Sequence, residues 1–192
     1  PLWGQARRIL DPGFAQSALK TYHSAMQSVA DDLIEHWSTR EAVDVHEEMT
    51  NATLEVIARA GFSRNLGLFS DDGADQQVKT MLTALDQVLS WASESSNDLP
   101  LIGQVRGFFQ ERQFKDNLAE TRDYFDQMVA DRAAGKEPAQ NDLLGLMLDT
   151  VDPETGQKLP HENVRDQVLT FLVAGQRRRG DAEAKDDDHL RN

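Results

Sequence analysis

The sequence predicts a mainly α domain, and three observations carry that expectation. Apolar residues recur at intervals of three and four along most of the chain, a period that lines one face of a helix. Only Ala42-Val43-Asp44-Val45 has much strand character, and it is too short to organise a sheet. No internal repeat or second-domain boundary interrupts the series, and the order fits neither a Rossmann pattern nor a sandwich.

The first element is a short helix from Leu2 to about Leu10, stopped by Asp11-Pro12-Gly13, with Phe14 expected to tuck into the core. From Ala15 to Ser38, Tyr22, Met26, Val29, Leu33 and Trp37 mark one helical face. A further helix follows residue 45, with Met49, Thr53, Val56, Ile57 and Ala60 on one side and Gly61 at the expected C-cap. After a connection over 62–73, Val78, Met81, Leu82, Leu85, Val88, Leu89 and Ala92 line an amphipathic helix from Asp75 to about Ser95.

Residues 93–107 are rich in Ser, Asn, Pro and Gly and read as a loop. The next helix places Phe114, Leu118, Phe125, Met128 and Val129 inward and ends near Gly135. Asn141-Asp142 caps a short helix from Leu143 to Leu148, and Asp152-Pro153-Glu154-Thr155-Gly156 is a turn. The last helix starts near Pro160 with Glu162 in its first turn, and Val164, Val168, Phe171 and Leu172 form its buried stripe. Leu169 and Val173 extend its apolar surface to a second side.

Composition excludes several functions. A net charge of −13 opposes a nucleic-acid partner, whose phosphates are held by clustered Lys and Arg. No apolar run approaches the roughly 20 residues that span a bilayer, so there is no transmembrane segment and a cytoplasmic location is the default. Zero cysteines exclude disulfides, zinc-thiolate sites, iron–sulfur clusters and a thiolate ligand to haem.

His46-Glu47-Glu48-Met49 begins like a zinc-peptidase motif but lacks the second histidine one turn on. Asp186-Asp187-Asp188-His189 reads as a solvated acidic tract, and Arg177-Arg178-Arg179 is a weak match to a nuclear signal. Neither a di-iron helix pairing nor a phosphate loop nor a nucleophile elbow is present.

Several segments together resemble the cytochrome P450 family. They are Trp3-Gly-Gln-Ala-Arg7, Met49-Thr50, Ala130-Asp131-Arg132, Asp152-Pro-Glu-Thr-Gly156, Glu162-Asn163-Val-Arg165 and Gln167-Val-Leu-Thr-Phe-Leu-Val-Ala-Gly175. The similarity covers residues 1–176 and looks most like the bacterial fatty-acid hydroxylases fused to a flavin reductase. It implies the central helices of that fold, cut within the long helix that crosses the distal face of the haem, as a partial family domain. Residues 177–192 read as a charged, disordered tail outside the family.

The resemblance also implies roles. Trp3 and Arg7 match a pair that donates to a haem propionate; residues at i and i+4 share a helix face, and guanidinium pairs well with carboxylate. Ala174 and Gly175 match the small pair beside the iron, where glycine allows close approach. Phe171 lies one turn before. Leu82, Leu85 and Leu89 match positions of the roof of the substrate channel, although such a stripe is often plain packing.

Where the family carries an acid–alcohol proton relay, this chain has Arg177 and Arg178, and guanidinium is no proton donor at ordinary pH. The family's own Glu-x-x-Arg pair, a different segment from Glu162-Asn163-Val164-Arg165, and its haem-binding cysteine loop are missing from the 192 residues. The complete parent is thus expected to be a haem-dependent monooxygenase acting on a small apolar substrate such as a fatty acid. Its electrons would come from NADPH through a flavin reductase, or from a ferredoxin. The chain alone is expected to be inactive, not to bind haem stably, and to leave the Phe171 to Val173 stripe exposed. The competing reading is a non-catalytic helical ligand-binding or interaction module.

Overall fold

The structure, a computed structural model, describes residues 2–94, 119–136 and 140–176. At 88–94 and 175–176 only the backbone is described. The side chain of Leu89, residues Phe114 and Leu118, most of the 93–107 loop and the 177–192 tail lie outside the described residues.

All regular structure among the described residues is helical. Helix α1 (Leu2–Leu10) runs into a 3-10 turn (Asp11–Phe14), followed by α2 (Gln16–Ser38), α3 (Val45–Phe62) and α4 (Gln76–Glu94). Residues 119–133 form α5, before α6 (Leu143–Asp149) and α7 (His161–Gln176). Helix α3 is the hub, packing against α2, α6 and α7, while α1 rests on α6 and α4 touches α7.

Three aspartates set helix starts by accepting the backbone N–H groups that a first turn leaves unpaired. Asp44 accepts from the N–H of His46 and Glu47 at 2.9 and 3.1 Å. That cap places Val45 in α3, so 42–45 is a helix entry and not the strand its composition suggests. Asp75 accepts from Val78 at 2.8 Å and Asp142 from Gly145 at 2.7 Å. At its other end, α3 continues through Gly61, and the left-handed C-cap falls on Ser63 at φ 53°.

The main core joins every helix. Ile9 of α1, Leu54 of α3, Met81 of α4, Val129 of α5, Leu144 of α6 and Val168 of α7 are all at most 1% exposed. A full side-chain burial of this kind contributes about 1.5–3 kcal/mol before ordering costs. A smaller cluster of Val29, Leu33, Ala52 and Phe69 seals α2 against α3.

Several sequence expectations are corrected here. Phe14 is 51% exposed, its ring 6.1 Å from that of Phe171. Met26 is 46% exposed at the edge of the α2 stripe. In α3 the buried residues are Ala52, Leu54, Glu55, Ala58, Gly61 and Phe62, while Met49 and Thr53 face solvent. The helix is covered from two sides, so a single-stripe pattern does not describe it. The Phe171 to Val173 stripe is not bare: Leu172 is buried and its two neighbours are half-buried against the main core.

Candidate functional site

Helix α1 has two faces with different work. Gln5, Ala6, Ile9 and Leu10 are buried, whereas Trp3 is 70% exposed and Arg7 is exposed beside it. The Arg7 guanidinium carbon lies 5.6 Å from the Trp3 ring centroid. This cation–π contact is worth about 0.5–1 kcal/mol at an exposed site, and it aligns two outward donors. Neither side chain donates to a protein acceptor among the described residues.

The buried face holds α1 at a fixed roll. Arg8 donates through Nε to Asp152 Oδ1 at 2.7 Å and through Nη2 to Oδ2 at 2.9 Å. Its Nη1 lies 2.9 Å from Glu154. Such a two-pronged pair restricts orientation as well as distance. Gln5 Nε2 donates to the carbonyls of Gln157 and Lys158 at 3.1 and 3.3 Å.

Asp152 also accepts from the Thr155 hydroxyl at 2.7 Å and the Thr155 N–H at 3.2 Å. The Arg8 hydrogen bond, reinforced by Thr155, holds its carboxyl well below the usual carboxylate range. The turn that the sequence marks as Asp152 to Gly156 is therefore the socket for α1. Sequence reasoning missed Gln5 and Arg8; the Asp–x–x–Thr spacing of the turn was the available hint, without its distant partner.

The other candidate residues gather around α7. Phe171 stands between Phe14 and Phe62, with ring centroids 6.1 and 6.4 Å away. Leu85 is buried in the main core, and Leu82 and Phe171 pack against the same cluster. Ala174 is exposed near the end of α7, and Gly175 continues the helix. The structure therefore brings Phe171, Leu82 and Leu85 to one cluster, with Trp3 and Arg7 on the outward side of α1.

No group of three or more His, Asp or Glu side chains able to hold a metal occurs among the described residues. No described helix is long and apolar enough to cross a membrane.

The chain belongs to the cytochrome P450 family, whose model matches residues 1–177. It is 35% identical over 178 residues to a bifunctional cytochrome P450/NADPH–P450 reductase of Bacillus cereus, covering 91% of this chain and 16% of that protein. A cyclooctatin synthase of Streptomyces melanosporofaciens is 29% identical over 88% of this chain, which spans 35% of the synthase. Among solved structures, the cytochrome P450DA haem domain matches with a TM-score of 0.80 and 35% identity, over 92% of this chain and 37% of that one. The chain thus spans well under half the length of these relatives.

Proposed function

We propose that residues 1–176 form the part of a haem-dependent monooxygenase that grips a haem propionate and covers the distal face of the haem, and that 177–192 lie outside that domain. The observation that carries this reading is the outward Trp3–Arg7 pair, aligned by its own stacking and free of protein acceptors among the described residues. Its donor chemistry fits the group: an indole N–H and a guanidinium, one turn apart, suit a carboxylate. Arg8 and Gln5 act as positioning residues, because they fix the roll of α1 that points Trp3 and Arg7 outward.

Ala174 and Gly175 are small enough to admit a close-lying ligand, and Phe171, Leu82 and Leu85 supply apolar walls for a small substrate of fatty-acid type. Bound haem would supply oxygen activation, with electrons from NADPH through a reductase like that named in the bifunctional relatives, or from a ferredoxin. The sequence has no cysteine, so these residues alone offer no thiolate to the iron and are inactive as a monooxygenase.

The test joins residues 1–176 to the C-terminal portion of the haem domain of the Bacillus cereus relative. The expected result is a thiolate-type carbon monoxide difference spectrum. Removing one charge-assisted hydrogen bond costs about 1.5–3 kcal/mol, so R7Q should weaken haem retention roughly 10- to 100-fold, and W3F by a smaller factor. A well-folded chimera that takes up no haem, or an R7Q variant that retains haem as tightly as its parent, would sink the assignment.

A further inference from the structure

The 3-10 turn between α1 and α2 holds an aromatic ring on a rigid mount. The Gly13 carbonyl accepts from the Tyr22 hydroxyl at 3.0 Å, and the Pro12 carbonyl from the Ala15 N–H at 3.2 Å. Gly13 is pressed so closely onto α6 that a Cβ there would meet Leu143 Cδ2 at 2.5 Å. The backbone at Phe14 is therefore fixed, and its side chain stays 51% exposed.

What this ring does touch is α7. Its centroid lies 6.1 Å from that of half-buried Phe171, which leans in turn on buried Phe62 at 6.4 Å. Phe171, Ala174 and Gly175 stand at i, i+3 and i+4, so they share one face of α7. Ala174 on that face is exposed. Phe14 also follows Arg7 by seven positions. It thus joins the segment that bears the Trp3–Arg7 donors to the helix face that bears the small pair. A lone exposed apolar side chain is common on protein surfaces. An aromatic on a fixed turn, continuous with the face of an exposed small-residue pair, fits a surface that covers a planar apolar group.

We propose that Phe14 is a haem-contact residue, its exposed edge packing on the porphyrin rim between the propionate grip of Trp3 and Arg7 and the cover of Ala174 and Gly175. The inference rests on the haem role proposed above. The α1 donors fix the charged end, and a group held at one edge alone would still rock. Phe14, backed by Phe171 and Phe62, supplies the apolar stop. Its contribution is insensitive to salt, whereas that of Arg7 is screened.

The test uses the haem-loaded chimera described above, with transfer of haem to excess apomyoglobin followed in the Soret band. F14A should lose haem roughly three- to tenfold faster than its parent, the range for burying half of a phenylalanine. F14L keeps most of the apolar area and should lose it no more than about twofold faster. Raising salt should leave the F14A factor unchanged and shrink that of R7Q. In the full 192-residue chain without haem, F14A should keep the melting temperature within about 2 °C of the parent, as for an exposed site. A chimera that takes up no haem overturns both this inference and the reading beneath it. A chimera that holds haem, with R7Q weakening it and F14A losing it at the parent's rate, overturns this inference alone. A lower melting temperature of F14A in that case assigns the ring to packing against the rest of the domain.

Discussion

Replacing Asp142 removes more than a helix cap. Its carboxylate accepts from the Gly145 N–H at 2.7 Å, the Ser63 hydroxyl at 2.6 Å and Arg132 Nη1 at 3.1 Å, and the residue is 3% exposed. A lost N-cap costs about 1 kcal/mol. Breaking a buried ion pair costs about 3–5 kcal/mol, because a buried charge loses its counter-ion. Arg132 keeps other anchors, among them the Phe62 carbonyl, to which its Nη2 donates at 2.9 Å, so the lower part of that range applies.

D142A should therefore lose about 4–5 kcal/mol, a large share of the 5–15 kcal/mol typical of a domain. In a chain of this size that lowers the melting temperature by roughly 8–20 °C. D142N keeps a good N-cap and removes only the charge, so it should lose about 3 kcal/mol. Urea unfolding followed by far-UV circular dichroism measures both, and R132M completes a double-mutant cycle with D142N. A coupling energy below about 0.5 kcal/mol in that cycle would refute the reasoning, because residues in one buried network couple by more than that.

Three further outcomes follow from the packing. The folded state holds the Asp152 carboxyl below its unfolded value, so its contribution is present at neutral pH and fades as pH falls below the ordinary carboxylate range; D152N should flatten the acid limb of a stability–pH profile, and an unchanged limb would show that the Arg8 pair does not form. L144A empties a site that is 0% exposed and should cost about 2–5 kcal/mol in denaturant unfolding, whereas a loss under 1 kcal/mol would mean that the α6 contact is loose. G13A places a Cβ 2.5 Å from Leu143 Cδ2 and 2.9 Å from Leu146 Cδ1, so it should cost about 1–3 kcal/mol, and a melting temperature at or above that of the parent would contradict the close approach of the 3-10 turn to α6.

Helix positions were legible in the sequence wherever a polar cap met an apolar period, as at Asp75 for α4 and Asp142 for α6. Helix α3 was harder to read because its buried side includes a carboxylate. Glu55 is 0% exposed, accepting from Arg59 Nε at 2.9 Å and from the Leu66 N–H at 3.1 Å. A pattern search treats such a glutamate as a surface residue, so it selects the Met49 side. Gly61 looked like the C-cap for a similar reason, but Ser63 takes the left-handed position, its hydroxyl held by Asp142.

For the candidate site, the spacing of Trp3 and Arg7 was visible as one helix turn. Their support was not, since Arg8 and Asp152 are 144 positions apart. Nothing local couples an arginine to a turn aspartate at that range.

The socket beneath α1 also has a consequence for how the protein is made. Gln5 waits for a carbonyl 152 residues later, and Arg8 for a carboxylate 144 residues later. At synthesis rates of roughly 5–20 residues per second, that is an interval of about 7–30 s. During it the apolar side of α1, with Ala6, Ile9 and Leu10, is without the α6 surface on which it rests in the fold. Closing so long a loop is slow compared with helix formation. Helix α1 is thus the first described element to leave the ribosome and one of the last to be fixed, and a chaperone that recognises apolar helices would meet it before its own fold does.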